Sequence, residues 1–257
     1  NSSIIGEKAN YTRPEIEQLI FSPKEKNANI EKTLYLTRRR IENKIKSLNI
    51  SNFYICSLSS EVIVYKGMFL AEQLSSFYPD LLDPDFKSKF AVYHQRYSTN
   101  TFPTWSLAQP FRVLAHNGEI NTLKGNLNWM KAHETRITDD FFGDRVEDLK
   151  PILDSDASDS ASLDAAFEIL LQTDRSLPMT KSMIIPESWS NNNDMPDELK
   201  KMYAYCNAVI EPWDGPAAVC ANFGDWIISG MDRNGLRPLR YIITGDDLLI
   251  SGSEVGM

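Results

Sequence analysis

Hydrophobic residues recur at helical spacing in several segments of the chain, and these segments predict α-helices. The clearest lies over residues 160–171, where Leu163, Ala166, Phe167, Leu170 and Leu171 fall on one side. Further helices are predicted over residues 27–48, 122–135, 179–185 and 198–210, with a short one ending at Phe77. Residues 12–20 fit either a helix or an edge strand, and residues 38–40 (RRR) fit a solvated helix face.

Short runs rich in β-branched and aromatic residues, bounded by turn residues, predict strands. These runs cover residues 53–57, 62–65, 89–97, 113–115, 217–222, 226–231, 240–244 and 247–251. The pairs Gly224-Asp225 and Gly245-Asp246 are typical of hairpin turns. We expect the last strands of the chain to pair with those near Phe90.

The order of these elements indicates the fold class. Strands lie at both ends of the chain and helices in the middle, without the steady alternation of a doubly wound parallel sheet. We therefore expect an α+β fold, with antiparallel sheets covered by helices and residues 1–257 forming one domain.

Composition and charge narrow the functional classes. The formal net charge is −8, which argues against general binding to nucleic acid or to anionic membranes. Cys56, Cys206 and Cys220 are too few and too scattered for a disulfide framework, and they suit a reducing cytosol. The three histidines lack metal-ligand spacing, and neither dinucleotide nor P-loop glycine motifs occur, so we expect no metal and no cofactor in this domain.

Polar residues are unusually dense over residues 94–100, directly after a predicted strand. Such groups are costly to bury unless they are paired. Arg96 offers a fork of donors that suits a ligand carboxylate, and Thr99 offers a hydroxyl. Alternatively, these side chains satisfy the backbone of a turn and one another.

Two further segments allow a structural and a functional interpretation. Asn117-Gly118 fits an ordinary turn, or an oxyanion hole built from the Asn117 amide and the Gly118 backbone N–H. Residues 155–160 (SDASDS) fit a helix cap, or a carboxylate that receives a ligand ammonium group. Residues 211–216 and 232–238 are rich in turn formers, and structural roles are the simplest interpretation for both.

Taken together and in order, these segments resemble the class II glutamine amidotransferase domain of the glutamate synthases. The matching segments are residues 93–101 (YHQRYSTNT), 108–112 (AQPFR), 116–121 (HNGEIN), 125–130 (GNLNWM), 158–160 (SDS), 211–217 (EPWDGPA) and 232–238 (DRNGLRP). The resemblance implies an N-terminal-nucleophile hydrolase fold, which is a four-layer αββα sandwich.

The resemblance also implies a role for each site residue. Arg96 would bind the α-carboxylate of glutamine with Thr99 beside it, Asp159 would bind the α-ammonium group, and Asn117 with Gly118 would form the oxyanion hole. The family's nucleophile is a cysteine at the first position of the mature protein, whose own α-amine acts as the base. The first residue here is Asn1, and the three cysteines stand in other contexts. We therefore expect that the chain is truncated at its N-terminus and that residues 1–257 alone do not release ammonia from glutamine.

For the whole enzyme, the resemblance implies that ammonia passes to 2-oxoglutarate and that reduction yields a second glutamate. Its cofactors would be FMN and an iron–sulfur cluster, with NADPH or ferredoxin as electron source. Its partners would be L-glutamine, the remaining synthase domains and a small NADPH-oxidising subunit. We expect a cytoplasmic enzyme, or one of the plastid stroma if it is ferredoxin-dependent and algal. The alternatives are another class II amidotransferase or a non-catalytic module that binds an amino acid.

Overall fold

The computed structural model describes residues 4–24, 29–95, 97, 102–138 and 141–256. The chain divides into two compact units, Asn1–Arg112 (unit 1) and Val113–Met257 (unit 2). The combination of helices with antiparallel sheets is the expected mixture of α and β structure.

Unit 1 is mainly helical and irregular over its described residues. It contains α1 (Glu7–Tyr11), α2 (Ile30–Ser47) and α3 (Leu74–Phe77), with 3-10 turns at Ala71–Gln73 and Pro79–Leu82. The predicted helix over residues 27–48 is therefore confirmed as α2, apart from residues 27 and 28, which lie outside the described residues. The predicted helix ending at Phe77 is confirmed as α3. The expectation of a helix or strand over residues 12–20 is wrong, because α1 ends at Tyr11 before Pro14, and an irregular segment follows.

A cluster of aromatic side chains forms part of the core of unit 1. Trp105 packs against Phe69 and Phe77, with ring centroids 6.3 and 5.7 Å apart. The indole N–H of Trp105 donates to the carbonyl of Ala9 at 3.2 Å, so the ring is fixed at both its apolar face and its polar atom.

The start of the basic triplet is buried, which corrects the prediction of a solvated face. Arg38 is 2% exposed and donates to both oxygens of Glu42 at 2.8 Å. Arg39 and Arg112 also contact this carboxylate, at 3.2 and 2.9 Å. Burial acts to raise the pKa of Glu42, but the three guanidinium groups outweigh it and lower the pKa. A shared carboxylate therefore accounts for the burial of this part of α2.

Three strands predicted in unit 1 are wrong. Residues 53–57, 62–65 and the described part of residues 89–97 have irregular backbone. Serine side chains accept the backbone N–H groups that a ladder would use: Ser59 Oγ accepts from Val62 at 3.1 Å, and Ser57 Oγ from Val64 at 3.3 Å. Such local bonds compete with strand pairing. The predicted pairing of the last strands of the chain with residues near Phe90 is also wrong, because the described residues 89–95 form no strand.

Unit 2 contains the sheets and most of the helices. Its strands are β1 (Leu114–Gly118), β2 (Ala217–Phe223), β3 (Trp226–Met231), β4 (Arg240–Ile243) and β5 (Leu249–Gly252). Its helices are α4 (Leu123–Glu134), α5 (Asp159–Leu171), α6 (Leu177–Ile184) and α7 (Asp197–Val209), with a 3-10 helix at Gly143–Leu149. The helices and strands predicted from residue 113 onwards are confirmed to within about two residues at each end, except at the end of β1. That strand continues to Gly118, three residues beyond the predicted end, so Asn117 and Gly118 lie in the strand and the interpretation of the pair as an ordinary turn is wrong.

The strands pair in two antiparallel sheets, one in the order β1-β2-β3 and one formed by β4 and β5. Gly224-Asp225 connects β2 to β3 as the predicted two-residue turn, and Asn117, Ala218 and Met231 lie opposite one another across the larger sheet. Helices α5 and α6 pack on this sheet, where His116, Val219 and Ala221 are buried. Within the described ranges, no helix has the length and apolar character needed to cross a membrane.

Candidate functional site

The end of β1 presents the Asn117-Gly118 pair. Two backbone hydrogen bonds show which residues of this segment bond to β2. Asn222 N donates to Val113 O at 2.9 Å and Glu119 N donates to Pro216 O at 3.0 Å, so the odd-numbered positions are the bonded ones. Because bonded positions alternate in an antiparallel ladder, the N–H of Gly118 points away from β2. Gly118 is exposed and Asn117 is half-buried, so an approaching ligand can reach both groups.

Two glycines allow two backbone segments to cross at this point. Gly118 has φ of +147°, and a Cβ placed there would lie 1.8 Å from the carbonyl oxygen of Pro216. Gly215 has the same φ, and its Cβ would lie 2.0 Å from Glu119 O. Both positions therefore require glycine, for conformation and for space. The segments at residues 116–121 and 211–217 therefore form one packed unit.

Hydrogen bonds complete this contact between the two segments. Asn121 N and Thr122 N donate to Asp214 O at 2.8 and 3.3 Å, and Asp214 N donates to Thr122 Oγ1 at 2.9 Å. The loop after β1 is thereby held against the residues that enter β2, which fixes the position of Gly118.

Asp159 is brought to the same end of β1 by helix α5. Ser158 is the N-cap residue, and its hydroxyl accepts from Ala161 N at 3.2 Å. Ser158 thus supplies the capping function, while Asp159 Oδ2 accepts from the backbone N–H of Ile120 at 2.9 Å. Asp159 is half-buried at the open start of the helix. Its carboxylate is therefore attached to the loop that follows Asn117-Gly118.

A second carboxylate attaches α5 to the other end of β1. Asp164 is 1% exposed, and its Oδ1 accepts from Val113 N and Leu114 N at 2.8 and 3.0 Å. The backbone that carries Asn117 is consequently held by α5 on both sides of the pair.

Ser253 contacts the candidate oxyanion residue directly. Asn117 Nδ2 donates to Ser253 Oγ at 2.7 Å. An amide nitrogen has two N–H groups, so this bond orients the side chain and leaves its second donor for a ligand. Ser253 could not be predicted from the sequence, since a serine that follows a strand carries no signal of this contact.

Asp232 organises the loop over residues 232–238 around its carboxylate. It accepts the backbone N–H groups of Ala217, Asn234, Leu236 and Arg237, at 3.0, 3.1, 3.0 and 2.9 Å. Burial acts to raise the pKa of Asp232, and these backbone bonds outweigh it and lower the pKa. Because Ala217 lies opposite Gly118, this loop supports the strand behind the glycine.

The structure brings Asn117, Gly118 and Asp159 to one end of β1, whereas Arg96 and Thr99 lie outside the described residues. The cysteines of unit 2 lie elsewhere. Cys206 is fully buried in α7, and burial raises the pKa of its thiol. Cys220 pairs with Ala115 rather than with Asn117, and its sulfur lies 3.2 Å from Ser229 Oγ. Neither thiol is placed beside the Asn117-Gly118 pair.

Comparison with known proteins gives the class to which this site belongs. Residues 1–257 match the family described as glutamine amidotransferases class-II, and the chain belongs to that family.

The similarity extends to individual enzymes. The chain is 59% identical over its whole length to the glutamate synthase [NADPH] large chain of Azospirillum brasilense, and 45% identical to that of Bacillus subtilis. It is 44% identical over 99% of its length to the ferredoxin-dependent glutamate synthase of Pyropia yezoensis. The chain spans 17% of the length of each of these relatives.

Proposed function

We propose that this chain is the glutamine-hydrolysing part of a glutamate synthase, which releases ammonia from L-glutamine for the amination of 2-oxoglutarate. Family membership and the names of the relatives support this proposal. The observation that carries it is the placement of a half-buried carboxylate, Asp159, beside the strand end that presents Asn117 and Gly118.

These groups suit the two ends of a glutamine molecule. The Asp159 carboxylate would bind the α-ammonium group, because an anion with remaining acceptor capacity favours a cation. The Gly118 N–H and the Asn117 amide would bind the oxygen that becomes negative when the side-chain amide is attacked. We retain Arg96 and Thr99 as proposed ligands of the α-carboxylate on the strength of the resemblance alone.

The proposed reaction follows the covalent route of the family. A cysteine thiolate adds to the side-chain carbonyl of glutamine, and the electron pair moves to the oxygen held by Asn117 and Gly118. Collapse breaks the carbon–nitrogen bond, and the leaving nitrogen takes a proton and departs as ammonia. Water then hydrolyses the thioester and gives glutamate. Neither Cys206 nor Cys220 fits the nucleophile, because they do not lie beside the pair.

We also propose that the larger sheet supplies one β layer, and α5 with α6 one α layer, of a four-layer αββα sandwich. The helices cover the face that holds His116 and Val219. The opposite face carries Asn117 and Met231, and Met231 is 44% exposed. A second sheet packed on this face would complete the sandwich and would bury that side chain.

The redox chemistry of a glutamate synthase would use groups held elsewhere in the complete protein. An iron–sulfur cluster requires several cysteine thiolates around one position. Cys206 is buried in α7 and Cys220 lies on β2, so the two cysteines of unit 2 do not fit such a cluster. We therefore propose that the cluster binds outside residues 1–257, and on the resemblance alone we propose the same for FMN and the small NADPH-oxidising partner.

Kinetics of the full-length protein test the proposal. We expect L-glutamine to release ammonia, and Asn117→Ala to lower kcat on the order of 100- to 1000-fold through loss of one oxyanion donor. Asn128→Ala, at an exposed position of α4, is the matched control and should retain full activity. Equal rates for the two variants would contradict the assignment. Ammonia release without amination of 2-oxoglutarate would point to another class II amidotransferase, and glutamine binding without release to a non-catalytic module.

A further inference from the structure

His116 connects the strand that carries Asn117 to the first turn of α5. Its ring lies on the helix-facing side of β1 and is 1% exposed. Its Nδ1 atom lies 2.8 Å from the hydroxyl oxygen of Ser160, which is 9% exposed. A buried histidine and a buried serine thus form a direct contact behind the candidate site.

Ser160 in turn contacts the carboxylate of Asp159 through two atoms. Its backbone N–H donates to Oδ1 at 2.7 Å, and its hydroxyl lies 3.3 Å from the same oxygen. Ile120 N donates to the other oxygen, Oδ2, at 2.9 Å. A carboxylate has about four lone-pair directions, so these donors use about three and leave one for a further donor. Asp159 is half-buried, so part of its side chain remains open to solvent.

We propose that Ser160, supported by His116, is a positioning residue that sets the orientation of the Asp159 carboxylate toward the α-ammonium group of the substrate. This inference rests on the proposed function and extends it, because it explains how the site distinguishes a substrate that carries an α-amine from one that lacks it. In this arrangement Nδ1–H of His116 donates to Ser160 Oγ, and the Ser160 hydroxyl donates to Asp159 Oδ1.

The physical need for such a residue comes from the freedom of the carboxylate. The terminal torsion of aspartate is broad, so a half-exposed group samples many orientations. Donors to both oxygens restrict that rotation before the ligand arrives, which lowers the entropic cost of binding. When Nδ1–H of His116 donates to Ser160 Oγ, the hydroxyl hydrogen is directed away from His116 and toward Asp159, so the contact favours the rotamer that donates to the carboxylate.

The test compares L-glutamine with 5-amino-5-oxopentanoate, the analogue that lacks only the α-amine, as substrates of the full-length protein. Wild type should prefer glutamine. We expect Ser160→Ala to lower kcat/KM for glutamine about tenfold, mainly through KM, and to change kcat/KM for the analogue less than about twofold, since one charge-assisted hydrogen bond is lost.

Ser162→Ala is the matched control, because Ser162 is a 1% exposed serine of the same helix whose hydroxyl has no hydrogen-bonding partner among the described residues. Ser162→Ala should leave kcat/KM unchanged for both substrates. If Ser160→Ala lowers kcat/KM equally for both substrates, the residue is only structural and the inference is wrong. If wild type does not prefer glutamine, the proposed role of Asp159 itself fails, and the inference with it.

A second pair of variants keeps the inference testable if Ser160→Ala does not fold. His116→Asn retains an amide nitrogen near the position of Nδ1, whereas His116→Leu removes the polar contact. We expect the Asn variant to retain the preference for glutamine over the analogue, and the Leu variant to lose it. An equal preference in both variants would overturn the inference.

Discussion

The two ends of strand β1 are held by carboxylates from the same helix, yet they differ in exposure. At the buried end, Val113 and Leu114 donate to Asp164, which is 1% exposed. At the open end, which comprises residues 117–120, Ile120 donates to Asp159, which is half-buried. The same interaction, a carboxylate that accepts a backbone N–H, thus occurs in two environments.

This difference separates a structural carboxylate from a candidate ligand-binding one. A fully buried charge is costly, so Asp164 is useful only because the donors around it compensate for lost water. Asp159 retains contact with solvent and therefore acceptor capacity for a ligand. The comparison predicts that changes at the buried end alter stability, whereas changes at the open end alter activity unless they displace the backbone.

The largest effect is expected from Gly118→Ala, which does displace the backbone of the open end. The new Cβ would lie 1.8 Å from Pro216 O at a φ of +147°. We expect the free energy of unfolding to fall by about 3 kcal/mol or more, with complete loss of glutamine hydrolysis. Chemical denaturation and ammonia release measure the two effects.

Gly125→Ala is the matched control, since a Cβ at that position of α4 meets nothing within 4 Å. Alanine in a helix interior is favoured over glycine by about 1 kcal/mol, so this variant should be at least as stable as wild type. A Gly118→Ala protein with the denaturation midpoint of wild type would show that the crossing of the two segments is described incorrectly.

The second-largest effect is expected when the carboxylates of Asp159 and Asp164 on α5 are each replaced by an amide. Val113 N and Leu114 N donate to the same oxygen of Asp164, so Asp164→Asn either places its N–H₂ group against both donors or leaves both on a neutral amide oxygen, and we expect about 2–3 kcal/mol less stability. Asp159→Asn should change stability by less than about 1 kcal/mol, because the side chain is half-exposed, but should abolish the preference for an α-amine. Denaturation midpoints that fall equally in both variants would remove the distinction between the two ends.

A third prediction concerns pH and Asp232, which supports the strand opposite Gly118. Its pKa is lowered in the folded protein, so its stabilising contribution is present above the unfolded pKa of about 4 and is lost as the pH falls through the folded value. Asp232→Asn should therefore be less stable than wild type near pH 7, and the difference should shrink below about pH 4.

Urea denaturation across that pH range provides the measurement, with Asp225→Asn, in the exposed turn between β2 and β3, as the control. The control should follow wild type at every pH. A stability difference for Asp232→Asn that stays constant from pH 7 to below pH 4 would contradict the role given to its carboxylate.

The smallest effect is expected from Ser253→Ala, which removes the acceptor that orients the Asn117 amide. One neutral hydrogen bond contributes about 1 kcal/mol, so kcat for glutamine should fall about fivefold with little change in KM. Ser251→Ala is the control, because the Ser251 hydroxyl contacts Arg240 O in the smaller sheet. An unchanged kcat in Ser253→Ala would mean that Asn117 is oriented without this contact.

The helices and the strands of unit 2 could be predicted because their apolar positions have a clear period and their ends carry turn or cap residues. The strands proposed at residues 53–57 and 62–65 have the right composition, but serine side chains satisfy backbone groups there. Local composition does not reveal which partner a backbone N–H finds. The burial of Arg38 was missed for a similar reason, because it depends on the convergence of other arginines on Glu42.

For the candidate site, residue types were predictable and contacts were not. The Asn117-Gly118 pair and Asp159 could be proposed from their chemistry and from the resemblance. The Ser253 contact, the crossing at Gly215 and the bond between Asp159 and Ile120 join residues far apart in sequence. Only the folded backbone brings those groups together.

The proposed function requires that the open end of β1 and the start of α5 bind the same amino acid. A crystal structure of the full-length protein with L-glutamate bound would measure this directly. We predict that Asp159 lies about 3 Å from the α-ammonium nitrogen and Gly118 N about 3 Å from an oxygen of the side-chain carboxylate of the same molecule. Glutamate bound without contact to Asp159 or Gly118 would contradict the account.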